Sequence, residues 1–412
     1  MFFKITTRFS VEEISINVGI CSVKISFVIY KYFPFGGQQR DFLGVVTECI
    51  NRGYQVQVFV INWEGQIPNK MELKRFPHEK NGHLHRLRHF TLRVQLALAS
   101  QERHLVIGFN KIPGLDIYFA VDPCFAEKAQ EQRSKYYKFT PRYRHFIKYE
   151  RQVFSENSDT DVFYLTEYQR NSFTRFYPKF KGHFHFLPPG LTRDRRVDVT
   201  HLKEVGLKVG NADELRSSLG LKPTDLMVLQ VGSGFKVKGI DRSLRAVAAL
   251  PVELRSRVFY VLVGQDKVGR FSRLAKKLKI FENFSYIGPR EDIPELLAAA
   301  DLMLHPAYAE SAGYTILEAV VAGLPILTTA SCGYAFHVER SNAGCVVKEP
   351  YQQKCLDDAL LNMLKVLSRL GKSRSDWSSN GLIYGAEGRF FEMPELAVNK
   401  IEAIAERKSL VT

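Results

Sequence analysis

Two glutamates eight residues apart, Glu310 and Glu318, are well placed in this sequence to do chemistry together. Glu310 ends a polar loop after the short apolar run LMLH, and Glu318 lies in an amphipathic segment at about residues 313–321. A second apolar run follows at residues 325–329. This succession predicts strand, loop, helix and strand, which together form one parallel crossover unit.

The predicted unit places Glu310 and the start of the helix at the carboxyl end of a strand, where open α/β sheets bind ligands. The first amides of the helix, at Ala312, Gly313 and Tyr314, lack partners within the helix and favour a phosphate group. Glu318 follows about two turns later and can accept hydrogen bonds from a diol such as a ribose. Alternatively, Glu310 is a charge near the helix start and Glu318 a solvated helix residue; the pair alone supports both interpretations equally.

A glycine-rich loop that contains Lys238 follows another apolar run, in the stretch LMVLQVGSGFKVKGIDRS. Its glycines do not fit G-x-G-x-x-G, because position 237 is valine. They do not fit the P-loop either, because Gly239 is followed by Ile-Asp. The pattern therefore disfavours a dehydrogenase and a kinase, whereas Lys238 is well placed to bind a diphosphate as a point charge.

Two positions in the first half of the chain are further candidates. Asp122 ends the apolar stretch DIYFAVD and precedes Pro123. At a strand's carboxyl end it either acts near an acceptor hydroxyl or caps a helix that begins at about residue 125. Gly36 and Gly37 follow the first predicted strand, at residues 24–30. They either let the backbone approach a ligand or form an ordinary turn.

Apolar runs alternate with helical patterns through both halves of the chain, which predicts an α/β fold with two Rossmann-like domains. The stiff break Pro188-Pro189-Gly190 marks the boundary. We therefore expect an N-terminal domain at residues 23–188 and a C-terminal domain at residues 189–384. Residues 1–22 precede the first strand as an extension, and residues 200–220 are predicted to be helical.

Length and composition are those of a soluble globular protein with two domains, at 412 residues, 45% hydrophobic and 25% charged. No apolar stretch approaches the roughly 20 residues of a membrane-spanning helix. The first 22 residues make a poor signal peptide, since they include Glu12 and Glu13 and no continuous apolar region. The six cysteines show no paired or metal-ligand spacing, which favours a reducing cytoplasm.

A net charge of +15 indicates an anionic partner. Residues 124–154 are dense in both basic and aromatic side chains. They are typical of a helix lying on an anionic membrane surface, or equally of a helix with a core-facing side and a solvated basic back. Nucleic-acid binding is not expected, because no nucleic-acid-binding motif accompanies the charge. The predicted membrane-surface residues are Lys135, Tyr136, Tyr137, Lys138, Arg142, Arg144 and Lys148.

The triplet Asp159-Thr160-Asp161 is formally a DxD motif, which holds a metal in some glycosyltransferases. It lies directly before the apolar run VFYLT, so a turn residue followed by a strand start explains it. We interpret the triplet as structural.

Several stretches together resemble the lipopolysaccharide core glucosyltransferases, which are retaining family-4 glycosyltransferases of the GT-B fold. They are YKYFPFGGQQRDF, GFNKIPGLDIYFAVDPC, LPPGL, LQVGS, VGQDK and HPAYAESAGYTILEAVVAGLPILTT. The resemblance implies two domains facing each other across a cleft, with the C-terminal helix (about residues 385–412) returning to the first domain. It also implies transfer of glucose from UDP-glucose to a lipopolysaccharide inner-core heptose, in α-1,3 linkage. The implied location is the cytoplasmic face of the anionic inner membrane of a Gram-negative bacterium.

The resemblance also assigns roles to individual residues. Glu310 would hold the glucose hydroxyls and Glu318 the ribose, while Asp122 would face the acceptor and Gly37 would approach the donor. The remaining donor contacts would come from Arg195 and Lys238 at the diphosphate, Arg290 at the uracil, and the amides of Ser311, Ala312, Gly313 and Tyr314. The implied catalytic residues are therefore Asp122, Lys238 and Glu310.

Retention without a protein nucleophile suits a front-face displacement, in which Lys238 and the helix dipole stabilise the leaving diphosphate. No metal or other cofactor is expected. One departure from the family pattern is Val237, which stands where the family has arginine; Lys236 would substitute without arginine's planar fork. The alternatives are the same fold with another UDP-sugar or another glycan acceptor, and a non-catalytic protein that binds a membrane surface.

Overall fold

The computed structural model describes residues 24–34, 36–77, 82–131, 133–191, 212–370 and 376–410. The expected extension at residues 1–22 and most of the expected helix at residues 200–220 lie outside this part. Within it, the chain forms two parallel sheets, one of seven strands and one of six, with helices on both faces of each.

The first sheet has the strand order β3-β2-β1-β4-β5-β6-β7. Its strands are β1 (Lys24–Tyr32), β2 (Gln55–Trp63), β3 (Met71–Arg75), β4 (Leu105–Gly108), β5 (Ile117–Ala120), β6 (Asp161–Tyr164) and β7 (Phe184–Phe186). The helices of this unit are α1 (Gly37–Asn51), α2 (His83–Ala99), α3 (Phe125–Glu131), α4 (Pro141–Val153) and α5 (Glu167–Phe176).

The second sheet has the order β10-β9-β8-β11-β12-β13. Its strands are β8 (Leu226–Val231), β9 (Val258–Val263), β10 (Phe284–Tyr286), β11 (Leu302–His305), β12 (Ile326–Thr329) and β13 (Gly344–Val347). The remaining helices, in chain order, are α6 (Ala212–Ser218), α7 (Ile240–Ala248), α8 (Val252–Arg255), α9 (Gly269–Lys277), α10 (Ile293–Ala299), α11 (Tyr314–Val321), α12 (Ala335–Ser341), α13 (Gln353–Leu370), α14 (Asp376–Glu387) and α15 (Met393–Arg407).

The strands are apolar on both sides because helices cover both faces of each sheet. In β1, Phe27 packs with Phe42 of α1 and with apolar residues of α15. The next residue, Val28, points to the other face and packs with Phe90 of α2. Such strands read as continuous apolar runs, which is why the central strands could be predicted from sequence.

The last helix, α15, returns to the first unit and packs on α1. Arg407 near its end makes an ion pair with the fully buried Asp161 at the start of β6, and Asp161 also accepts a hydrogen bond from His185 at 2.7 Å. Lys408 binds the carboxylate of Asp159 at 2.9 Å. The structural interpretation of the Asp159-Thr160-Asp161 triplet is thus confirmed, since its carboxylates anchor the C-terminal helix.

Candidate active site

The loop between β11 and α11 presents a row of backbone amides. Gly313 precedes the helix with a φ of 102°, a left-handed conformation that favours glycine. The loop is held from behind, because Gly333 donates to the carbonyl of Glu310 at 2.9 Å and Tyr334 donates to that of Ala312 at 2.7 Å. In the described part of the chain, the amides of residues 311–314 donate no hydrogen bond. They are the donors that a phosphate or sugar oxygen needs.

Lys238 and Glu310 are in contact, so the structure brings together two residues that lie far apart in the sequence. Their loops touch at Gly239, where an added Cβ would lie 2.1 Å from the carbonyl oxygen of Pro306. Gly239 has a φ of 71°, so both its conformation and its surroundings require glycine. Burial lowers the pKa of Lys238 to about 8, which leaves the ammonium mostly charged at neutral pH.

His305 lies beneath this pair and was not identified from the sequence. Its side chain is fully buried at the end of β11, and its Nε2 lies 3.6 Å from a carboxylate oxygen of Glu310. Neither ring nitrogen has a hydrogen-bond partner in the described part of the chain. Burial lowers its pKa to about 3, so the imidazole is neutral. The only sequence signal was a polar residue closing an apolar strand before Pro306.

Glu318 is buried, at 3% exposed, and forms an ion pair with Arg40 from α1 of the first unit. The interpretation of Glu318 as a solvated helix residue is therefore wrong. Arg40 contacts the Oε1 atom of the carboxylate. The carboxylate faces the cleft, as expected of a ribose ligand, but part of its hydrogen-bonding capacity is already used by the other unit.

The two units also meet at Gly37 and Tyr314, each the first residue of its helix. A Cβ added to Gly37 would lie 3.0 Å from the Tyr314 ring, so a larger residue there would crowd the second unit. The Tyr314 hydroxyl donates to Asp41 of α1. Burial raises the pKa of Asp41 to about 7. Because both helices start at the carboxyl ends of strands, these contacts show that the two sheets face each other across one cleft.

The other expected donor ligands are less tightly placed. Arg290 follows β10 and makes a two-pronged ion pair with Asp292, with one contact at 2.7 Å and the other at 2.5 Å. Val237, at 48% exposed, and the exposed Lys236 lie in the Lys238 loop. Arg195 lies outside the described residues.

Asp122 follows β5, as expected, but it does not cap α3. The amides of Phe125 and Ala126 are bound instead by the carboxylate of Glu150, at 2.7 and 2.9 Å. The capping interpretation of Asp122 is therefore wrong. Its side chain lines a cavity at the carboxyl edge of the first sheet, which is the acceptor side expected from the sequence.

The basic segment combines features of both interpretations made from the sequence. One face of α4 is in the core, with Ile147 and Val153 buried. Tyr137 is partly buried and contacts Tyr143 with ring centroids 6.0 Å apart. The other predicted surface residues are exposed: Lys135, Tyr136, Lys138, Arg142, Arg144 and Lys148. Tyr136 is 81% exposed. Phe139, which was not singled out from the sequence, is 71% exposed.

Among the residues that the structure describes, no group of three or more His, Cys, Asp or Glu side chains is arranged to hold a metal ion. In the same ranges, no helix combines the length and the apolar character needed to cross a bilayer.

Two facing parallel-sheet units, with a cationic loop and two carboxylates at their shared edge, define a GT-B glycosyltransferase. A family model for glycosyl transferases group 1 matches residues 211–382. The chain is 40% identical to the lipopolysaccharide glucosyltransferase WaaG of Escherichia coli K12, over 92% of this chain and 98% of that protein. The crystal structure of WaaG matches with a TM-score of 0.83 over 92% of this chain and 99% of that one. The chain therefore belongs to the WaaG family of group 1 glycosyltransferases.

More distant structures agree on the fold alone. The structure of HepE from Anabaena in complex with UDP-glucose has a TM-score of 0.67 at 16% identity, over 92% of this chain and 99% of that one. The resemblance stated from the sequence, the GT-B fold and the enzyme class are thus confirmed.

Proposed function

We propose that the protein transfers glucose from UDP-glucose to a heptose of the lipopolysaccharide inner core, with retention and in α-1,3 linkage. The observation that carries the proposal is the meeting of Lys238, Glu310 and the amides of residues 311–314 at one point of the cleft. Similarity to the lipopolysaccharide glucosyltransferase of E. coli supports the donor and acceptor classes.

The diphosphate takes the amides at the start of α11 and the ammonium of Lys238 as its ligands. Glu310 now contacts Lys238. When the anionic diphosphate binds, it replaces this carboxylate at the ammonium, and Glu310 becomes available to the glucose hydroxyls. Glu310 thus changes partners within one site, and its role is to orient the sugar.

Chemistry proceeds on the front face of the sugar. The acceptor oxygen forms a bond with the anomeric carbon on the side from which the diphosphate departs, and the acceptor proton passes to a diphosphate oxygen. Lys238 and the amides stabilise the negative charge that develops on the leaving group. Because these groups come from the protein, we propose that transfer needs no divalent metal.

Glu318 serves the ribose with the part of its carboxylate that Arg40 leaves open. Arg40 contacts Oε1, and a carboxylate offers about four acceptor positions. Arg40 therefore orients Glu318 and need not leave it when the nucleotide binds.

The experiment measures sugar transfer from UDP-glucose, UDP-galactose and UDP-N-acetylglucosamine to a heptose-terminated inner-core acceptor, with and without a metal chelator. We expect transfer from UDP-glucose, unaffected by chelation, and a loss of about 100-fold or more in Glu310→Gln. Glu339→Gln, an exposed glutamate elsewhere on the second unit, is the matched control. Preference for another sugar would select the alternative donor, and full activity of Glu310→Gln would overturn the site.

We also propose that the enzyme works in the cytoplasm, at the surface of an anionic inner membrane. The exposed aromatics and basic side chains at residues 135–148 support this proposal. The test is sedimentation with anionic vesicles. Replacing Lys135, Lys138 and Lys148 with glutamine should reduce salt-sensitive binding, whereas the same replacement of Lys267, Lys276 and Lys277 on the second unit should not. Equal binding of both triple variants would contradict the proposal.

A further inference from the structure

A cavity of about 220 Å³ lies beside Asp122 at the carboxyl edge of the first sheet. We call it the Asp122 cavity. Its walls come from the end of β1, the loop after β4, the start of α3 and the first turns of α4. It is smaller than the roughly 300–1,000 Å³ of sites for whole drug-sized ligands. It therefore suits one sugar residue better than a complete oligosaccharide.

Lys111 lines the cavity, and its charge is already neutralised by a buried partner. Lys111 pairs with the buried Glu150 at 2.8 Å and also donates to the carbonyl of Pro123 at 3.0 Å. Glu150 in turn binds the first amides of α3. Every charge in this network has a partner, so it shapes the cavity and adds little net charge to it.

The rim, in contrast, carries three basic side chains, Lys128, Arg133 and Arg142. In the described part of the chain none of the three forms a salt bridge. The guanidinium of Arg133 lies 5.5 Å from the centre of the Tyr137 ring, and that of Arg142 lies 5.2 Å from the centre of the Phe146 ring. Stacking holds the planar groups in place and leaves their N–H edges open. Among the described residues that line the cavity, Asp122 is the one acid, so the lining has an excess of positive charge.

Aromatic rings complete the wall between these cations. Phe125 lies between Tyr137 and Phe146, with ring centroids 6.4 and 5.4 Å away. An apolar wall next to open guanidinium groups fits a ligand with both C–H faces and an anionic group. An arginine fork binds a carboxylate or a phosphate through two parallel hydrogen bonds.

We propose that the Asp122 cavity binds an anionic sugar of the acceptor, one that carries a carboxylate or a phosphate, next to the sugar that receives glucose. Arg133 and Arg142 bind the anionic group and Lys128 adds charge attraction. This inference rests on the proposed function, because it concerns the acceptor of the same reaction.

The same anionic chemistry could come from a lipid headgroup, and the position of the cavity favours a sugar. Asp122, the residue expected to face the acceptor hydroxyl, lines the cavity itself. Of the residues considered for a membrane surface, Tyr137 and Arg142 line the cavity, whereas the most exposed aromatics, Tyr136 and Phe139, do not. A lipid-free acceptor therefore separates the two sources in an experiment.

The experiment uses a lipid-free inner-core oligosaccharide in two forms, one with its anionic groups intact and one with its carboxyl groups reduced to alcohols and its phosphates removed. Arg133→Gln and Arg142→Gln should each raise the KM for the anionic acceptor about tenfold and leave the KM for the neutral acceptor unchanged. Arg93→Gln is the matched control, since Arg93 also stacks on an aromatic ring of the first unit, 4.9 Å from the centre of Phe76.

Three outcomes would overturn the subsite. The first is an equal rise in KM for the anionic and the neutral acceptor, and the second is an equal rise in KM in Arg93→Gln. The third is loss of vesicle binding in Arg133→Gln with unchanged KM, which would assign the positive charge to binding of a lipid headgroup. Glucose transfer to the neutral acceptor is measured in parallel. If the wild type transfers glucose from UDP-glucose to neither acceptor, the proposed function fails. The subsite is then judged by calorimetric titration with the two oligosaccharides, and equal binding of both would overturn it.

Discussion

On the side of the cleft proposed to bind the donor, four charged side chains form two pairs, Lys238 with Glu310 and Arg40 with Glu318. On the acceptor side, Arg133 and Arg142 lie over aromatic rings and leave their hydrogen-bonding edges open. We propose that both sides bind an anion or a polar sugar, but their own charges are satisfied in different ways.

Burial accounts for the difference. Lys238 and Glu318 are largely buried, and a buried charge without a partner costs several kcal/mol. The donor side therefore needs internal counter-charges, which a nucleotide must replace or share. Arg133 and Arg142 are exposed, so water solvates them at little cost. The donor side is consequently selective for ligands that compensate its pairs, whereas the acceptor side attracts anions more generally.

The largest expected effect is on the donor side, in Lys238→Gln. Removing the ammonium takes away the cation that stabilises the leaving diphosphate and leaves Glu310 without its partner. We expect kcat to fall about 10²–10³-fold, measured as glucose transfer at saturating donor. The control is Lys267→Gln, an exposed lysine on the same unit. Unchanged kcat in Lys238→Gln would show that this ammonium does not stabilise the leaving diphosphate.

The second prediction concerns the pair between the two units. In a double-mutant cycle with Arg40→Gln and Glu318→Gln, we expect a coupling free energy of unfolding of about 1–3 kcal/mol, because Glu318 is buried. The exposed pair Lys354–Asp358 should give less than about 1 kcal/mol in the same measurement. Similar coupling in both cycles would mean that burial does not distinguish the donor side.

The third prediction is a pH dependence of stability from Asp41, whose pKa burial raises from 3.8 to about 7. The folded state holds a proton that the unfolded state has released above pH 4. Asp41 therefore contributes stability that is fully present below pH 4 and is lost as the pH rises to about 7, by up to about 1.4 kcal/mol per pH unit. Arg40 opposes this shift, and the Tyr314 hydroxyl also faces the carboxyl group.

The measurement is thermal unfolding of wild type and Asp41→Asn at pH 5, 6, 7 and 8. The stability of the wild type relative to the variant should decline across this range. Asp358→Asn, at a half-exposed position of helix α13, should follow the wild type at every pH. Parallel curves for wild type and Asp41→Asn would show that Asp41 does not retain its proton.

Much of this arrangement could be predicted from the sequence, because apolar runs identify buried parallel strands. Strands such as β8 and β11 are buried throughout, so their runs were unambiguous, and Glu310 and Asp122 could be placed at strand ends. The edge strand β3 was missed, because its sequence MELKR is mostly polar. Helix α2 was missed for a similar reason, since HLHRLRHF mixes basic and apolar residues.

The contacts across the cleft could not be predicted in this way. Arg40, Asp41 and His305 gain their importance from residues more than 250 positions away or from burial beneath a loop. Periodicity describes each element by itself and does not determine how two sheets are placed relative to each other. The cap of α3 illustrates the same limit: Asp122 was adjacent in sequence, but Glu150 on another helix provides the cap.

The smallest expected effect is a gain on the donor side, in Val237→Arg. Val237 is exposed in the Lys238 loop, and in the described part of the chain no carboxylate forms a salt bridge with the neighbouring Lys236. An arginine there adds a cation without a built-in partner, as on the acceptor side, and its fork matches a diphosphate. We expect UDP to bind about two- to fivefold more tightly, measured by calorimetric titration. Val237→Gln, similar in length but neutral, separates charge from size. Equal affinity of both variants for UDP, or no gain over the wild type in either, would contradict this prediction. The existing charge pairs would then already provide all the attraction that the diphosphate can use. Exposure alone would not explain the difference between the two sides.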